Sequence, residues 1–407
     1  MFVFIRKLFL CSLVLLTGCS NKDKSFIHSF SVFEEDGIEV ALTTGGPKYT
    51  SPLFEYEPLS TLQEDPDNEE SLLFRPREFT VGDDGNYYVN DTGNRRIAVF
   101  SSQGRYVRSF GRAGSGPGEF GSLVDIAVHE GIVHIFDSQH KRATRYSCDG
   151  TLIDVVTIPP HVYARFPSSF YILSSLKYAL VHLNSRSHEF YDESQDRLAV
   201  LSSSFDTLWT AETPFVRSMT RTTMSSGTPL IFGTPYRKLP IIECFHGVGI
   251  VVSGAVEPEL VFYDFDGHIR RKVRVELEPV PITEEDRSRV ISDIESMVDE
   301  YGEEYRDMVK AEVKALDFPP TKPYWWKVYI DDAGYIWLEQ YEPGLEEFKF
   351  LVLSPRGEYL GDTWIPYARE FNVARGKLMV NWTPPGAEGP ELLVCDIKPI
   401  IQGFKYP

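Results

Sequence analysis

The sequence repeats itself at a spacing of 46 residues. Residues 89–104 (VNDTGNRRIAVFSSQG) align without a gap with residues 135–150 (IFDSQHKRATRYSCDG). Each copy predicts a strand, a loop that begins near an aspartate, a second strand and a glycine turn into a third. Four short strands in about 45 residues is the period of a propeller blade. The repeat therefore indicates a ring of small antiparallel sheets.

Weaker copies of the unit follow at residues 170–210, 248–275, 326–364 and 371–397. Together with the first two copies they predict six blades, so the expected fold is an all-β, six-bladed β-propeller within residues 31–407. The last unit lacks an outer strand, and either residues 59–62 or residues 37–42 are expected to supply it. Such a closure joins the two ends of the chain and removes exposed strand edges.

The composition is that of a folded chain and argues against one class of partner. Hydrophobic residues make up 42% of the sequence, and 27 Phe and 21 Tyr suit the pleated surface of strands. The 59 acidic and 41 basic residues give a net charge of -18. Because that field repels a polyanion, nucleic-acid binding is not expected. A monomer is expected.

The first residues have the architecture of a secretory signal. Arg6 and Lys7 precede an apolar run at residues 8–16, which is too short to remain in a bilayer as a helix of about 20 residues. The run ends in LTGC, with the cysteine at position 19. This ending resembles the lipobox of bacterial lipoproteins, which implies cleavage before Cys19 and a lipid on its sulfur.

The lipobox resemblance also implies a domain order. It gives a signal peptide at residues 1–18 and a lipidated tether at residues 19–30, with the lipid as the contact to the membrane. Ser20 stands where an aspartate would favour retention at the inner membrane. We therefore expect a bacterial cell-envelope location, at the outer membrane and facing the periplasm or the surface. An ordinary signal peptide with a chance cysteine is the alternative.

Three segments of the first units carry a resemblance to a known family: residues 74–79 (FRPREF), 84–100 (DGNYYVNDTGNRRIAVF) and 110–120 (FGRAGSGPGEF). They are similar to NHL repeats. More narrowly, the chain resembles six-bladed β-propeller lipoproteins of bacteria such as Bacteroidetes and Gemmatimonadetes. Those proteins also carry a late helical excursion, a Phe-Pro pair and a final Asp-x-x-Gly-x-Ile/Leu-Trp blade, which residues 318–319 and 331–337 match. The resemblance implies the fold and leaves the activity open.

Residues 283–317 differ in period from the rest of the chain. Their apolar side chains recur every three or four positions from Val290 onward, which predicts an amphipathic helical insertion between late blades. Thr283 and Asp286 form an approximate capping box at its start. The apolar stripe either packs on the propeller rim or belongs to a lid or docking arm over one face.

Five charged residues recur at the repeat spacing: Asp91, Arg95, Arg96, Asp137 and Arg142. Equivalent positions point alike in every blade, because side chains alternate along strands. One interpretation is a series of Asp–Arg pairs that fix the loops between strands. The other is a set of polar groups that face a ligand.

Two functions from different classes fit this sequence. The first is a binding or scaffold module for a protein, peptide or glycan, with no cofactor and no catalytic residues. The alternative is a metal-dependent hydrolase or lyase with its site in the central channel. A channel metal requires ligands from several blades, for which His182, His246 and His268 are the candidates. No motif assigns those histidines to a metal, and no nucleophile motif is present.

Overall fold

The computed structural model of the protein describes residues 27–62, 67–159, 167–174, 177–185, 194–217, 219–223, 229–233, 236, 241–245, 248–254, 257–298, 318–340, 347–366, 371–382 and 391–406. These residues form a six-bladed β-propeller, as the repeat predicts. Cys19 lies outside the described residues. Within the described ranges, no helix is long and apolar enough to cross a membrane.

The strands follow one another in chain order. Those up to the second blade are β1 Ser29–Glu35, β2 Ile38–Thr44, β3 Phe54–Thr61, β4 Pro76–Val81, β5 Tyr87–Asp91, β6 Arg96–Phe100, β7 Tyr106–Phe110, β8 Arg112–Ala113, β9 Glu119–Phe120, β10 Leu123–His129, β11 Ile132–Asp137, β12 Arg142–Ser147 and β13 Leu152–Thr157. The next are β14 Pro167–Ser174, β15 Lys177–Ser185, β16 Ser194–Ser202, β17 Thr207–Arg217, β18 Met219–Thr223, β19 Pro229–Gly233, β20 Ile241–Phe245, β21 Gly249–Ser253, β22 Glu259–Tyr263 and β23 Ile269–Val275. The last are β24 Lys327–Ile330, β25 Ile336–Gln340, β26 Glu347–Leu353, β27 Tyr359–Pro366, β28 Phe371–Ala374, β29 Lys377–Trp382 and β30 Glu391–Pro399. A 3-10 turn at Glu69–Ser71 and the helix α1, Glu284–Val298, complete the described elements.

Each blade is an antiparallel meander that starts at the ring axis. Blades 1 to 5 begin with β4, β10, β14, β20 and β24, and blade 6 begins with β28. The first strands of blades 1 to 4 contact the first strand of the next blade, and β28 contacts β4. These first strands therefore surround the axis, and the later strands of each blade lie progressively farther out.

Six hydrophobic clusters fill the six gaps between neighbouring blades. Because successive side chains point to opposite faces of a strand, each blade buries one face against the preceding blade and the other against the next. Between blades 4 and 5, for example, Val273 packs with Trp325 and Ile336. The gap between blades 6 and 1 is filled in the same way by Met379 and Phe79. The core is thus shared around the ring.

The two ends of the chain close the ring in blade 6. The sheet order is β28-β29-β30-β3, so the N-terminal strand β3 is the outer strand of the C-terminal blade. Of the two segments expected to supply this strand, the one around residues 59–62 does so. Residues 37–42 belong to β2, which instead extends blade 4 by pairing in parallel with β23. The sheet of blade 4 has six strands as a result.

The N-terminal segment forms a belt, which we define as residues 29–61, around the outside of blades 4, 5 and 6. β1 and β2 pair as a hairpin on blade 4, and β1 begins at Ser29, two residues before the expected start of the domain. The link to β3 then crosses blade 5, where Tyr49 N donates to Leu360 O at 2.8 Å and Leu53 N to Asp362 O at 2.9 Å. The belt thus contacts three consecutive blades through backbone hydrogen bonds.

The helical insertion leaves the ring between blades 4 and 5, as the change of period predicts. Its two connections run side by side, with a β-bridge between Pro281 and Thr321. The capping box forms, since Asp286 N donates to Thr283 Oγ1 at 3.1 Å and Thr283 N donates back to Asp286 Oδ2 at 2.9 Å. Val290 packs against Tyr236 and Phe318. The predicted continuation of the helix through residues 299–317 lies outside the described residues.

Candidate functional site

Asp91 connects two loops of blade 1 through hydrogen bonds. Its carboxylate is fully buried and accepts hydrogen bonds from Phe74 N at 2.8 Å, Asn94 Nδ2 at 2.8 Å and Arg96 Nε at 2.9 Å. Arg96 also donates to Leu72 O at 2.7 Å. The loop after β5 is therefore bound to the loop that enters β4.

Asp137 makes the equivalent connection in blade 2. It is fully buried and accepts from Gly121 N at 3.0 Å, Ser122 N at 3.1 Å and His140 Nδ1 at 2.7 Å. Burial by itself raises the pKa of this carboxyl, but the donors outweigh it and leave the pKa below its usual range. Arg142 lies with its Nε 3.7 Å from the Asp137 carboxylate. An ionised, fully bonded Asp137 fixes the loops around it.

The five repeat residues thus take two different places. Asp91, Arg96, Asp137 and Arg142 are buried or half-buried and bond the loops of their own blades. This geometry corresponds to the interpretation in which the pairs fix loops. Arg95 is exposed on the loop surface and takes no part in either Asp–Arg pair.

A different set of polar side chains meets at the ring axis. Tyr171 on β14 donates its hydroxyl to Glu243 Oε2 at 2.9 Å, although Glu243 lies on β20 of the next blade. Glu243 sits in the apolar strand IIECF, between Ile242 and Cys244, which pack toward blade 3. Burial raises the pKa of Glu243 to about 7, against the opposing effects of Tyr171 and Lys327. This carboxyl is therefore divided between its two protonation states near neutral pH.

Blade 5 adds a cation and a second carboxyl to this group of polar side chains at the axis. Lys327, on the first strand of blade 5, is exposed and acts electrostatically on both Glu243 and Glu339. Glu339 is the cross-strand neighbour of Lys327 and is only 6% exposed. Tyr329 donates its hydroxyl to Glu339 Oε2 at 3.3 Å. Burial raises the pKa of Glu339, which Lys327 and Tyr329 partly offset.

An aromatic surface borders the axial cluster on the side of blade 6. The rings of Tyr329 and Phe371 lie 4.3 Å apart between centroids, and Phe371 belongs to the first strand of blade 6. We define the axial cluster as Tyr171, Glu243, Lys327, Tyr329 and Glu339. It thus combines hydrogen-bond acceptors and one cation with an aromatic surface. Such a surface can hydrogen-bond and pack against a polar ligand.

Sequence reasoning did not identify the axial cluster. The available signal was a single carboxylate within an otherwise apolar first strand, since buried carboxylates are rare unless they are bonded. Of the histidines considered for a channel metal, His268 is exposed beside Asp264. His246 and the side chain of His182 lie outside the described part of the chain. Among the described residues, no group of three or more His, Cys, Asp or Glu is arranged to hold a metal ion.

The buried position of Glu243 predicts a pH-dependent stability. Its pKa is higher in the folded protein than the value of about 4.3 expected for an unfolded chain. The folded state therefore holds the proton more tightly, and stability falls as the pH rises from about 4.5 to about 7, by at most about 4 kcal/mol. Glu243→Gln, which keeps an acceptor for Tyr171 and does not titrate, should remove this fall.

Urea denaturation at several pH values checks this expectation. The measured quantity is the free energy of unfolding of the wild type minus that of Glu243→Gln, between pH 4.5 and 7.5. The exposed Glu257, in the same blade, gives the control variant Glu257→Gln, which should keep the wild-type slope. Equal slopes for the wild type and Glu243→Gln would show that Glu243 does not titrate in this range.

Comparison with known proteins gives matches at the level of fold. Residues 58–236 match a family model described as a 6-bladed beta-propeller, DUF5128. A putative exported protein from Bacteroides fragilis is 12% identical, with a TM-score of 0.49 over 85% of this chain and 94% of its own. A DUF4221 family member from Bacteroides vulgatus is also 12% identical, with a TM-score of 0.47 over 92% and 99%.

A virginiamycin B lyase from Staphylococcus aureus is 9% identical, with a TM-score of 0.38 over 84% of this chain and 99% of its own. Among curated proteins, none matches this sequence. The blade order, the shared inter-blade core and the family model agree with one another. The chain is a six-bladed β-propeller, and over residues 58–236, which include its first three blades, it matches the 6-bladed beta-propeller family.

Proposed function

We propose that this protein is a lipid-anchored, NHL-like binding module of the bacterial cell envelope, which holds a peptide, protein or glycan over the mouth of its channel. The observation that carries the proposal is the convergence of Tyr171, Glu243 and Lys327 from three successive first strands. No single blade contains this arrangement. It exists only when the ring is assembled, as expected of a site built at the axis of a rigid scaffold.

The chemistry of the axial cluster favours binding. Glu243 and Glu339 accept hydrogen bonds from tyrosine hydroxyls and lie within electrostatic range of Lys327, so the cluster offers donors and acceptors side by side. Fixed polar groups beside an aromatic wall give orientation and specificity to a bound molecule. The proposed ligand lies across the first strands of blades 3 to 5.

Arrays of immobilised peptides and oligosaccharides test this proposal, with residues 20–407 as the probe. We expect retention on a subset of one array, and loss of that retention in Glu243→Gln and in Lys327→Met. The exposed Glu257→Gln serves as control and should bind like the wild type. Retention that is unchanged in both axial variants would overturn the proposal. Stoichiometric metal in the purified protein, measured by mass spectrometry, would favour the channel-metal enzyme instead.

The envelope location rests on the N-terminal signal and predicts a lipid at Cys19. Replacement of Cys19 by serine should move the protein from the membrane fraction to the soluble fraction, because two or more acyl chains give durable anchoring and none remains. Mass spectrometry of the mature N-terminus checks the modification directly. An unmodified Cys19, or cleavage at another position, would contradict the lipid anchor.

The insertion gives a further expectation. Replacing residues 283–317 with a short Gly-Ser linker should leave the β-sheet signal in circular dichroism intact, because the bridge between Pro281 and Thr321 already joins the two connections. The cost should be limited to the contacts of the insertion with the ring. Among them are those of Val290 with Tyr236 and Phe318 and the ion pair of Asp286 with Lys322 at 3.0 Å. If array binding is lost while the fold survives, the insertion contributes to the ligand site. Failure of the ring to fold would show that it belongs to the core.

A further inference from the structure

Two loops of blade 1 form a rigid platform, which we define as residues 72–75 and 92–95. Gly93 N donates to Phe74 O at 2.7 Å, and Thr92 Oγ1 donates to Arg75 O at 2.6 Å. Asn94 Nδ2 donates to Leu72 O at 3.2 Å. The buried Asp91 accepts hydrogen bonds from both loops, from Phe74 N and from Asn94 Nδ2. The backbone of the blade 1 platform is thus fixed from within the protein.

Two arginines on the platform have left-handed backbones. Arg75 has φ of 52° and Arg95 has φ of 55°, a region that costs a residue with a side chain about 1 kcal/mol or more. Lys141, the repeat equivalent of Arg95, has φ of 53°. Glycine or asparagine would occupy these positions with less strain. A large basic residue at such a position therefore carries a cost to stability.

Phe74 positions one of the two guanidinium groups. The ring is 54% exposed, and the guanidinium of Arg75 lies 5.3 Å from its centroid. The ring also rests on Gly93, where a Cβ atom would lie only 2.3 Å from it. The absence of a side chain at Gly93 thus allows Phe74 to lie flat, and Phe74 in turn supports Arg75 by a cation–π contact.

The guanidinium groups of the platform are available to a ligand. Neither Arg75 nor Arg95 forms an ion pair with any residue that the structure describes. Asp91, the acid next to the platform, is buried and bonded to Arg96. By contrast, Arg375, which has a similar φ but lies in a hairpin turn of blade 6, is paired with Asp83 at 2.6 Å.

We propose that the blade 1 platform binds a carboxylate-bearing glycan, of the polyuronate class. A polyuronate repeats a carboxylate on each sugar ring, so that Arg75 and Arg95, on two loops joined by hydrogen bonds, can each bind one. The exposed part of the Phe74 ring suits the C–H surface of a pyranose. The net charge of -18 works against any polyanion, so the affinity must come from these two guanidinium groups. The inference rests on the proposed binding function, and it names the class of ligand and a second contact surface for it.

Affinity electrophoresis in gels that contain polygalacturonate tests the site. The wild type should be retarded, and Arg75→Ala and Arg95→Ala should each weaken the apparent affinity about tenfold, with the double variant weaker by about a hundredfold. Retardation should decrease as salt is added. The exposed Arg105, in a turn of the same blade beyond β6, gives the control Arg105→Ala, which should behave as the wild type.

Three further arms separate the possible outcomes. Gels with neutral dextran should not retard the protein. Gels with polyglutamate should retard it much less than gels with polygalacturonate. Equal retardation by polyglutamate and polygalacturonate would identify an acidic peptide as the ligand and overturn the glycan assignment. Arg95→Asn should melt at or above the wild-type temperature and still lose affinity. If polygalacturonate does not retard the protein while array binding still depends on Glu243, the platform is not a binding site for this glycan. The proposed function of the axial cluster is then unaffected.

Discussion

Removal of residues 392–407 is expected to abolish the cooperative unfolding transition of the entire protein. These residues contain nearly all of β30, which lies between β29 and β3. Without it, β3 has no partner, blade 6 is reduced to a hairpin and the gaps to blades 1 and 5 lose Val394 and Ile397. A ring whose core lies between blades loses support on both sides of the damaged blade.

A shorter truncation should have a graded effect. Removal of residues 400–407 keeps β30 but deletes Tyr406, whose hydroxyl donates to the buried Asp331 at 2.6 Å and whose ring lies 4.9 Å from that of Phe54. We expect a loss of about 2–4 kcal/mol with cooperative unfolding retained. Differential scanning calorimetry distinguishes the two truncations. A cooperative transition in the 392–407 deletion would show that the ring closes without β30.

Replacement of Asp137 by alanine is expected to cost about 3–5 kcal/mol. The variant leaves the backbone donors of Gly121 and Ser122 and the ring of His140 without their shared acceptor, which is fully buried. Because the pKa of Asp137 lies below its usual range, the stability that it provides is present at neutral pH and disappears as the pH falls through that lowered pKa.

Urea denaturation at pH 7 measures the cost for Asp137→Ala. Asp149, an exposed aspartate that accepts from Thr151 N at 2.9 Å in a turn of the same blade, is the matched control, and Asp149→Ala should cost much less than Asp137→Ala. Asp137→Asn should lie between the two, because an amide oxygen accepts some of the donors and the amide nitrogen opposes the others. A cost for Asp137→Ala no larger than that of the control would show that the loop contacts of Asp137 are dispensable.

The fold could be predicted from the sequence because a blade is a local unit. Strand, turn and strand recur within about 45 residues, so the alignment of Asp91 with Asp137 identifies the period directly. The insertion was also visible, since apolar residues spaced at three and four cannot form a blade strand. The predicted choice between two closing segments stayed open, because both have strand-like patterns and only their distant partners distinguish them.

The axial cluster could not be predicted for a related reason. Tyr171, Glu243 and Lys327 are far apart in sequence and belong to weak copies of the repeat, where no gapless alignment fixes which residues share a level in the ring. The parallel pairing of β2 with β23 was equally hidden, because it is not part of the repeat at all. The blade 1 platform contains residues that the sequence did single out, but their left-handed backbones are visible only in the structure.

The belt has a consequence for the order in which the protein is made. Ala41 of β2 pairs with Val273 and Tyr56 of β3 with Ile397, so more than 200 residues are synthesised before these partners on the ring exist. Such distant contacts make folding slow, because long loops must close before the contacts form. Until the last blade is complete, the nascent chain carries unpaired strands that are prone to aggregate. Folding of the complete ring must therefore finish after the last blade has been synthesised.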